Sequence, residues 1–157
     1  MQIDAVEPDV DADALLPGAQ FIDAFRVEIH DPTLDARHAA IRMIEHGPRW
    51  IDALMALRNL IVAPFGLKTP APGKSAAGDR IGIFPVVSET SEQIVAGFND
   101  SHLDFRVVVN VGHGATGRSV TTSTLVLTHN RLGRAYLATI MPFHRLVVRS
   151  MLRRLAD

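Results

Sequence analysis

A chain of 157 residues with 47% hydrophobic and 21% charged residues, a net charge of −1 and no cysteine is long enough for one domain with a sizeable core and too apolar to be disordered. The charge balance excludes a chain-wide pull toward nucleic acid or anionic lipid, and the lack of cysteine excludes disulfides, thiolate nucleophiles and thiolate-bound metals. No run approaches the ~18 apolar residues of a membrane span, and the acidic N-terminus lacks the basic and apolar regions of a signal peptide, so a cytoplasmic protein is expected.

Residues 1–16 carry Asp4, Glu7, Asp9, Asp11 and Asp13 without hydrophobic periodicity. They are expected to be a flexible acidic tail, followed by a single domain over residues 17–157. Pro17-Gly18 is a turn signal. From Phe21 to His30 the chain alternates, with Phe21, Phe25, Val27 and Ile29 on one face and one dissonant residue, Asp23, among them; that pattern predicts a half-buried strand. Asp35 is placed to cap a helix over Ala36–His46, and Gly47 to stop it. A second helix, from about Pro48 to Val62, would turn Trp50, Leu54, Leu57 and Leu60 inward. Thr69–Asp79 is the longest expected loop, either a surface connection or a lid beside a pocket.

From Ile81 the hydrophobic period changes from 3.6 to two. Ile81–Val87, Gln93–Phe98, Leu103–Val111 and Ser119–His129 read as strands joined by turns short enough for hairpins, with Pro85 at an edge or bulge. In the third of these, Leu103, Phe105, Val107, Val109 and Val111 share one face and Arg106 and Asn110 the other. In the fourth, hydroxyls fall on both faces, including Thr122 and Thr124, which suggests that neither face is a fully dry core. Gly112–Gly117 spells G-x-G-x-x-G, but a phosphate-binding loop of that type needs a helix after it. The β-branched alternation of Arg118–Thr122 makes it a hairpin turn instead.

Asn130 caps a terminal helix that runs to Leu155. At 100° per residue, Arg131, Arg134, Arg145 and Arg149 form a solvent stripe with Pro142. Tyr136, Ile140, Phe143, Val147 and Met151 form the inner face, flanked by Leu137, Val148, Leu152 and Leu155, with His144 among them. The order strand, two short helices, four strands, long helix predicts an α+β fold: a curved antiparallel sheet of about five to six strands wrapped on the C-terminal helix.

That order resembles the helix-grip fold of the START-like (SRPBCC) superfamily. Leu16-Pro17-Gly18-Ala19 with Phe21–Val27, the Trp50–Asn59 helix, Leu103–Val107 and above all Thr128–Tyr136 running into Pro142–Arg145 are similar to a bacterial domain of unknown function, family 2867. The resemblance implies a deep cavity between sheet and long helix, suited to apolar or amphipathic small molecules, and no assigned reaction or cofactor. Some relatives carry the domain behind a dehydrogenase-like one; the absence of that partner here would leave any redox role to a separate protein.

If the cavity exists, its candidate lining is His144, Tyr136 and Ile140 from the long helix, Arg106 and Asn110 from the third strand, Thr122 and Thr124 from the fourth, and Trp50 and Arg58 from the short helices. Each has a structural alternative: His144 as a core histidine bonded to the sheet, Tyr136 as a core aromatic with its hydroxyl at the rim, Arg106 paired with Glu28 or Asp104 or facing water. No zinc-site spacing or nucleophile elbow is present, so no metal is expected. Three functions fit. The first is a carrier, sensor or accessory protein that binds an apolar molecule. The second is a cyclase-, dehydratase- or isomerase-like enzyme with His144 as acid/base and Arg106 or Tyr136 stabilising an enolate. The third is an interaction module using the arginine stripe, with homodimerisation left open.

Overall fold

Alternation from residue 80 onward folds as an antiparallel meander closed by the long helix. The computed structural model describes residues 2–45, 80–82, 84–99, 102–115 and 117–155, with the single positions 49, 53, 56, 60 and 64. In chain order the elements are β1 (Ile3–Ala5), α1 (Ala12–Leu15), β2 (Phe21–Ile29), α2 (Ala36–Ile44), β3 (Arg80–Ile81), β4 (Phe84–Glu89), β5 (Gln93–Asn99), β6 (Leu103–His113), β7 (Arg118–Thr128) and α3 (Arg131–Arg153). The strands form one seven-stranded antiparallel sheet in the order β1-β2-β7-β6-β5-β4-β3. Trp50, Arg58 and the expected 69–79 loop lie outside the described residues, as does most of the expected 48–62 helix. Within that span Arg49, Ala53, Ala56 and Leu60 are helical and exposed, and Leu60, expected inward, is 74% exposed.

Among the described residues seven strands replace the five to six expected, for two local reasons. A three-residue strand is too short to show a period, so β1 gives no signal within the acidic stretch; it pairs with β2 through Ile3↔Val27. The segment expected as one strand from Ile81 divides at Gly82, whose φ of 59° is a turn conformation. Pro85 sits on β4 where only two-residue β3 flanks it, one residue before a bulge between Val86 and Ser88. Both expected caps form: Asp35 Oδ1 accepts the His38 amide at 2.8 Å, and Asn130 Oδ1 accepts the Gly133 amide at 2.9 Å. The Gly-rich segment is the β6–β7 hairpin turn, closed by Gly114 N–H donating to the Gly117 carbonyl at 3.1 Å.

The register sorts side chains into two faces. The inner face carries Phe25, Val27 and Ile29 of β2, Val120 of β7, Val109 and Val111 of β6 and Ile94 of β5, under Met43 of α2 and Val148 and Leu152 of α3. Full burial of each such side chain stabilises the fold by about 1.5–3 kcal/mol before entropy is charged. The outer face is covered too: Leu16 packs on Val95, Val108 and Leu125, with Val10, Ala12, Leu15 and Ala19 around it. Residues 10–19 are thus a strap across the back of the sheet. This explains why the hydroxyls on both faces are dry, with Thr122, Ser123 and Thr124 no more than 3% exposed.

The rotation of α3 differs from the periodic reading. Gly133 is buried, and a Cβ there would lie 2.1 Å from the His102 carbonyl oxygen. The helix therefore approaches the sheet along Gly133, Leu137, His144 and Val148. Phe143, expected inside, is 52% exposed, and Arg149, expected in the solvent stripe, lies with its guanidinium 5.4 Å from the Phe25 ring centroid. Periodicity favoured the larger side chain; docking selected the smallest.

Two stability outcomes follow. Helix propensity alone makes Gly133→Ala stabilising by about 1 kcal/mol; the His102 carbonyl reverses the sign, and urea unfolding should show a loss of about 1–3 kcal/mol. Asp35 is held below its ordinary pKa of 3.8, first by the His38 backbone amide. A depressed folded-state pKa gives stability that is complete above the unfolded value and is lost as pH falls through the folded one. Asp35→Ala should therefore cost about 1 kcal/mol at neutral pH, and the difference from wild type should hold to about pH 4 and vanish in stronger acid.

Candidate functional site

The dissonant residue of β2 finds the dissonant residue of α3. Asp23 stands at an inward position of its strand, opposite Thr124 of β7, which lies opposite Val107 of β6 and then Ala96 of β5. His144 descends from the middle of α3, and its Nε2 lies 3.0 Å from Asp23 Oδ2. The two side chains are 14% and 20% exposed. The Phe21 ring meets the His144 ring edge-on, with centroids 5.6 Å apart, which restricts how the imidazole can turn. A carboxylate only accepts, so the bond places the proton on Nε2 and leaves Nδ1 of the neutral ring as an acceptor.

Asp23 is only half satisfied. Its Oδ1 is buried without a hydrogen-bond partner, a condition that costs about 1–3 kcal/mol or more for a charged group. Around the pair the helix is more exposed than at either end. Gly133 at one end of α3 and Val148, Leu152 and Leu155 at the other are buried, whereas no residue from Arg134 to Val147 is. Tyr136 and Ile140 are half-buried in this stretch. In the next row of the sheet, Phe84, Phe98 and Phe105 cluster with ring centroids 5.4 to 6.2 Å apart, and all three are half-buried. Thr124 and Ala96, small side chains each 3% exposed, belong to the row of Asp23.

The expected site residues divide. His144, Ile140 and Thr124 share the inner side, and Tyr136 lies one and two turns before Ile140 and His144 on the same helix. Thr122 is on this face but deeper, its hydroxyl 3.5 Å from Met43 Sδ. Arg106 and Asn110 point the other way, because Arg106 pairs in register with Leu125 and Gly97, both on the outer face. Arg106 Nη1 donates to the Phe98 and Phe105 carbonyls at 3.2 and 2.8 Å, and Asn110 Oδ1 accepts from Gln93 Nε2 at 3.0 Å. These two therefore stand across the sheet from His144, and no enolate could be held by Arg106 and His144 together. Glu28, one expected partner of Arg106, accepts the Ala115 amide at 3.1 Å instead.

Asp23 is the site residue missed from the sequence, although its signal is there: a carboxylate at an inward position of an alternating strand calls for a buried partner. A cleft of about 540 Å³ lies at the opposite end of β2, lined by Asp4, Glu28, His30, Asp31 and Arg42 among others. Its chemistry is that of a charged surface crease, with Arg42 3.6 Å from Asp31, and Thr33 holding the Asp31 carboxyl below its usual range through side-chain and backbone hydrogen bonds. Among the described residues no group of three or more His, Asp or Glu could hold a metal ion, and no helix is long and apolar enough to cross a membrane.

The coupling of the pair is measurable. A double-mutant cycle with Asp23→Asn and His144→Ala should return an interaction energy of roughly 1–3 kcal/mol in denaturant unfolding. Additive single effects would mean that the two side chains do not interact in solution.

Comparison with known proteins shows a family and similar solved structures. A family model described as "Protein of unknown function (DUF2867)" matches residues 15–151. None of the curated proteins matches the sequence. Among solved structures, a protein from Rhodobacter sphaeroides is similar at 11% identity, with 98% of this chain and 95% of that one covered and a TM-score of 0.48. A Mesorhizobium loti protein is similar at 14% identity, with 86% and 96% covered and a TM-score of 0.44.

Proposed function

The chain belongs to the DUF2867 family, and from that premise we propose that it is a small-molecule-binding domain of the helix-grip kind, with its ligand between α3 and the inner face of the sheet. The observation that carries this reading is the Asp23–His144 pair, with one buried carboxylate oxygen left over in a stretch where the helix is pinned at both ends and half-buried between them. The half-buried Phe84, Phe98 and Phe105 rings offer an apolar wall, and apolar walls with a few convergent polar groups are the usual make-up of ligand sites. Asp23 Oδ1 would accept from a hydroxyl or amine of the ligand, and Nδ1 of His144 would accept from a second donor. The protein would act as carrier, sensor or accessory protein for such a molecule.

A second reading is favoured by the same bond. A carboxylate that fixes the tautomer and orientation of an imidazole is the arrangement of a general base. In an enzyme of the isomerase or dehydratase kind, His144 would move the proton and Asp23 would stabilise the imidazolium. With Arg106 on the far side of the sheet, oxyanion stabilisation would fall to other groups, Tyr136 among them.

Native mass spectrometry of freshly purified protein should show an added mass of an apolar organic molecule, or binding of one hydroxylated aromatic probe per chain. Ile140→Trp, at a half-buried position facing the site, should weaken that binding at least tenfold while the fold is kept. If the wild type binds no such probe and Ile140→Trp only stabilises the fold, the space is packing slack and the reading fails. A ligand found this way that is turned over by wild type and not by His144→Ala selects the enzyme.

A further inference from the structure

The outer side of α3 has a composition unlike that of an ordinary solvated helix face. Ala135, Ala138, Pro142, Phe143 and Leu146 are all exposed, with Phe143 at 52% and Leu146 at 53%. At 100° per residue Ala135, Pro142 and Leu146 fall within about 40° of one line and Phe143 within about 80° of it. Arginines lie beside and beyond this apolar strip, with Arg131 before it, Arg145 alongside it and Arg153 after it, all exposed, while Arg134 points away from Phe143. Between Arg131 and Arg153 there is no Asp or Glu, although the chain as a whole carries a net charge of −1. Among the described residues the strip has no covering element, since the sheet lies on the other side of the helix.

The geometry points to this face as a docking surface for an anionic lipid bilayer, with Phe143 and Leu146 entering the boundary of the acyl region and the arginines meeting headgroup phosphates. Charge decides among occupants. A second copy paired symmetrically through α3 would bring arginines against arginines, with no acid on the helix to neutralise them. The acidic residues Asp11 and Asp13 belong to the segment that crosses the back of the sheet, so a copy using them would stack face to back without closing. An anionic bilayer supplies both requirements in one surface: a plane of phosphates for guanidinium groups, which bind them bidentately, and an apolar layer beneath for the side chains. Pro142 suits such a face, because its missing amide and its ring lie on the side away from the sheet. The docking does not depend on the ligand site; it concerns the opposite side of the same helix.

The test is co-sedimentation of the full chain with vesicles of phosphatidylcholine alone and with vesicles containing phosphatidylglycerol. Binding is expected to the second only, to weaken as salt is raised, and to fall about fivefold for each arginine neutralised, in Arg145→Gln and in Arg131→Gln with Arg145→Gln. Phe143→Ser with Leu146→Ser should reduce it about tenfold or more; the exposed positions make loss of fold an unexpected result, which circular dichroism checks, and the arginine variants stand as an independent arm. No sedimentation with either vesicle overturns the proposal, as does binding that all variants retain. Self-association in the absence of vesicles that the same variants abolish overturns it in favour of a second copy. Binding of polyglutamate without binding of phosphatidylglycerol vesicles overturns it in favour of an acidic protein partner.

Discussion

The close approach of α3 to the sheet at Gly133 is the contact on which the rest of this molecule depends. The helix enters through Asn130, which caps it and also meets His102 Nδ1 at 2.9 Å, while the His129 amide donates to the His102 carbonyl at 2.9 Å. His129 Nε2 lies 3.0 Å from Asp104 Oδ1 on the neighbouring strand. With that end seated and Leu152 fully buried at the other, the rotation of a 23-residue helix is determined. A helix pinned at two points has no freedom to turn its larger apolar side chains inward. His144 therefore faces the sheet and Phe143 faces away, and both the buried Asp23–His144 contact and the arginine-bordered outer strip follow from one steric fact.

The centre of the sheet is covered on both sides, and that has a chemical consequence. Inner and outer faces are separated by the pleat, so polar groups on β6 cannot join polar groups on α3. Arg106 spends its guanidinium on main-chain carbonyls of its own hairpin, beside Gly97, where a Cβ would meet the Phe105 carbonyl oxygen at 2.1 Å. Its Nε and the Ser123 hydroxyl are buried and unpartnered on that outer side. The strap over the outer face is anchored by Leu16, 4% exposed, at the first residues that follow the acidic run.

A half-buried carboxylate–imidazole pair is a poor device for stability. Desolvation of a carboxylate and an imidazole offsets much of their attraction, and apolar replacement is often neutral or better. The Asp23–His144 pair is more costly still, because one carboxylate oxygen has no partner. A pair of this kind therefore contributes little as a brace between helix and sheet, and a role as polar anchor belongs to the ligand-binding proposal. The contrast with Arg37 and Glu89 is instructive: that pair joins α2 to β4 through two hydrogen bonds of 2.9 and 2.7 Å at a solvated surface, where a brace costs little.

The amino-acid sequence by itself determined what depends on neighbours in the chain: the α+β class, the four-strand meander, the caps at Asp35 and Asn130, the hairpin at Gly112–Gly117 and the amphipathic terminal helix. Turn chemistry, capping and hydrophobic period are local, and so they are legible. Strand β1 is too short to have a period, and the strap over the outer face is invisible because its apolar residues, Val10, Ala12, Leu15 and Leu16, are too few and irregular to mark an element. Only the tertiary structure decided the exact rotation of α3, which leaves Phe143 outside and brings Arg149 to Phe25, because that choice is made by a backbone contact at Gly133 and not by the hydrophobic pattern. It alone decided that Arg106 and Asn110 belong to a different face from His144, because register, not residue type, assigns faces in a sheet. And it alone joined Asp23 to His144 across 121 residues: each stands out as a polar residue in an apolar row, and only the packing of helix on sheet shows that each is the other's partner.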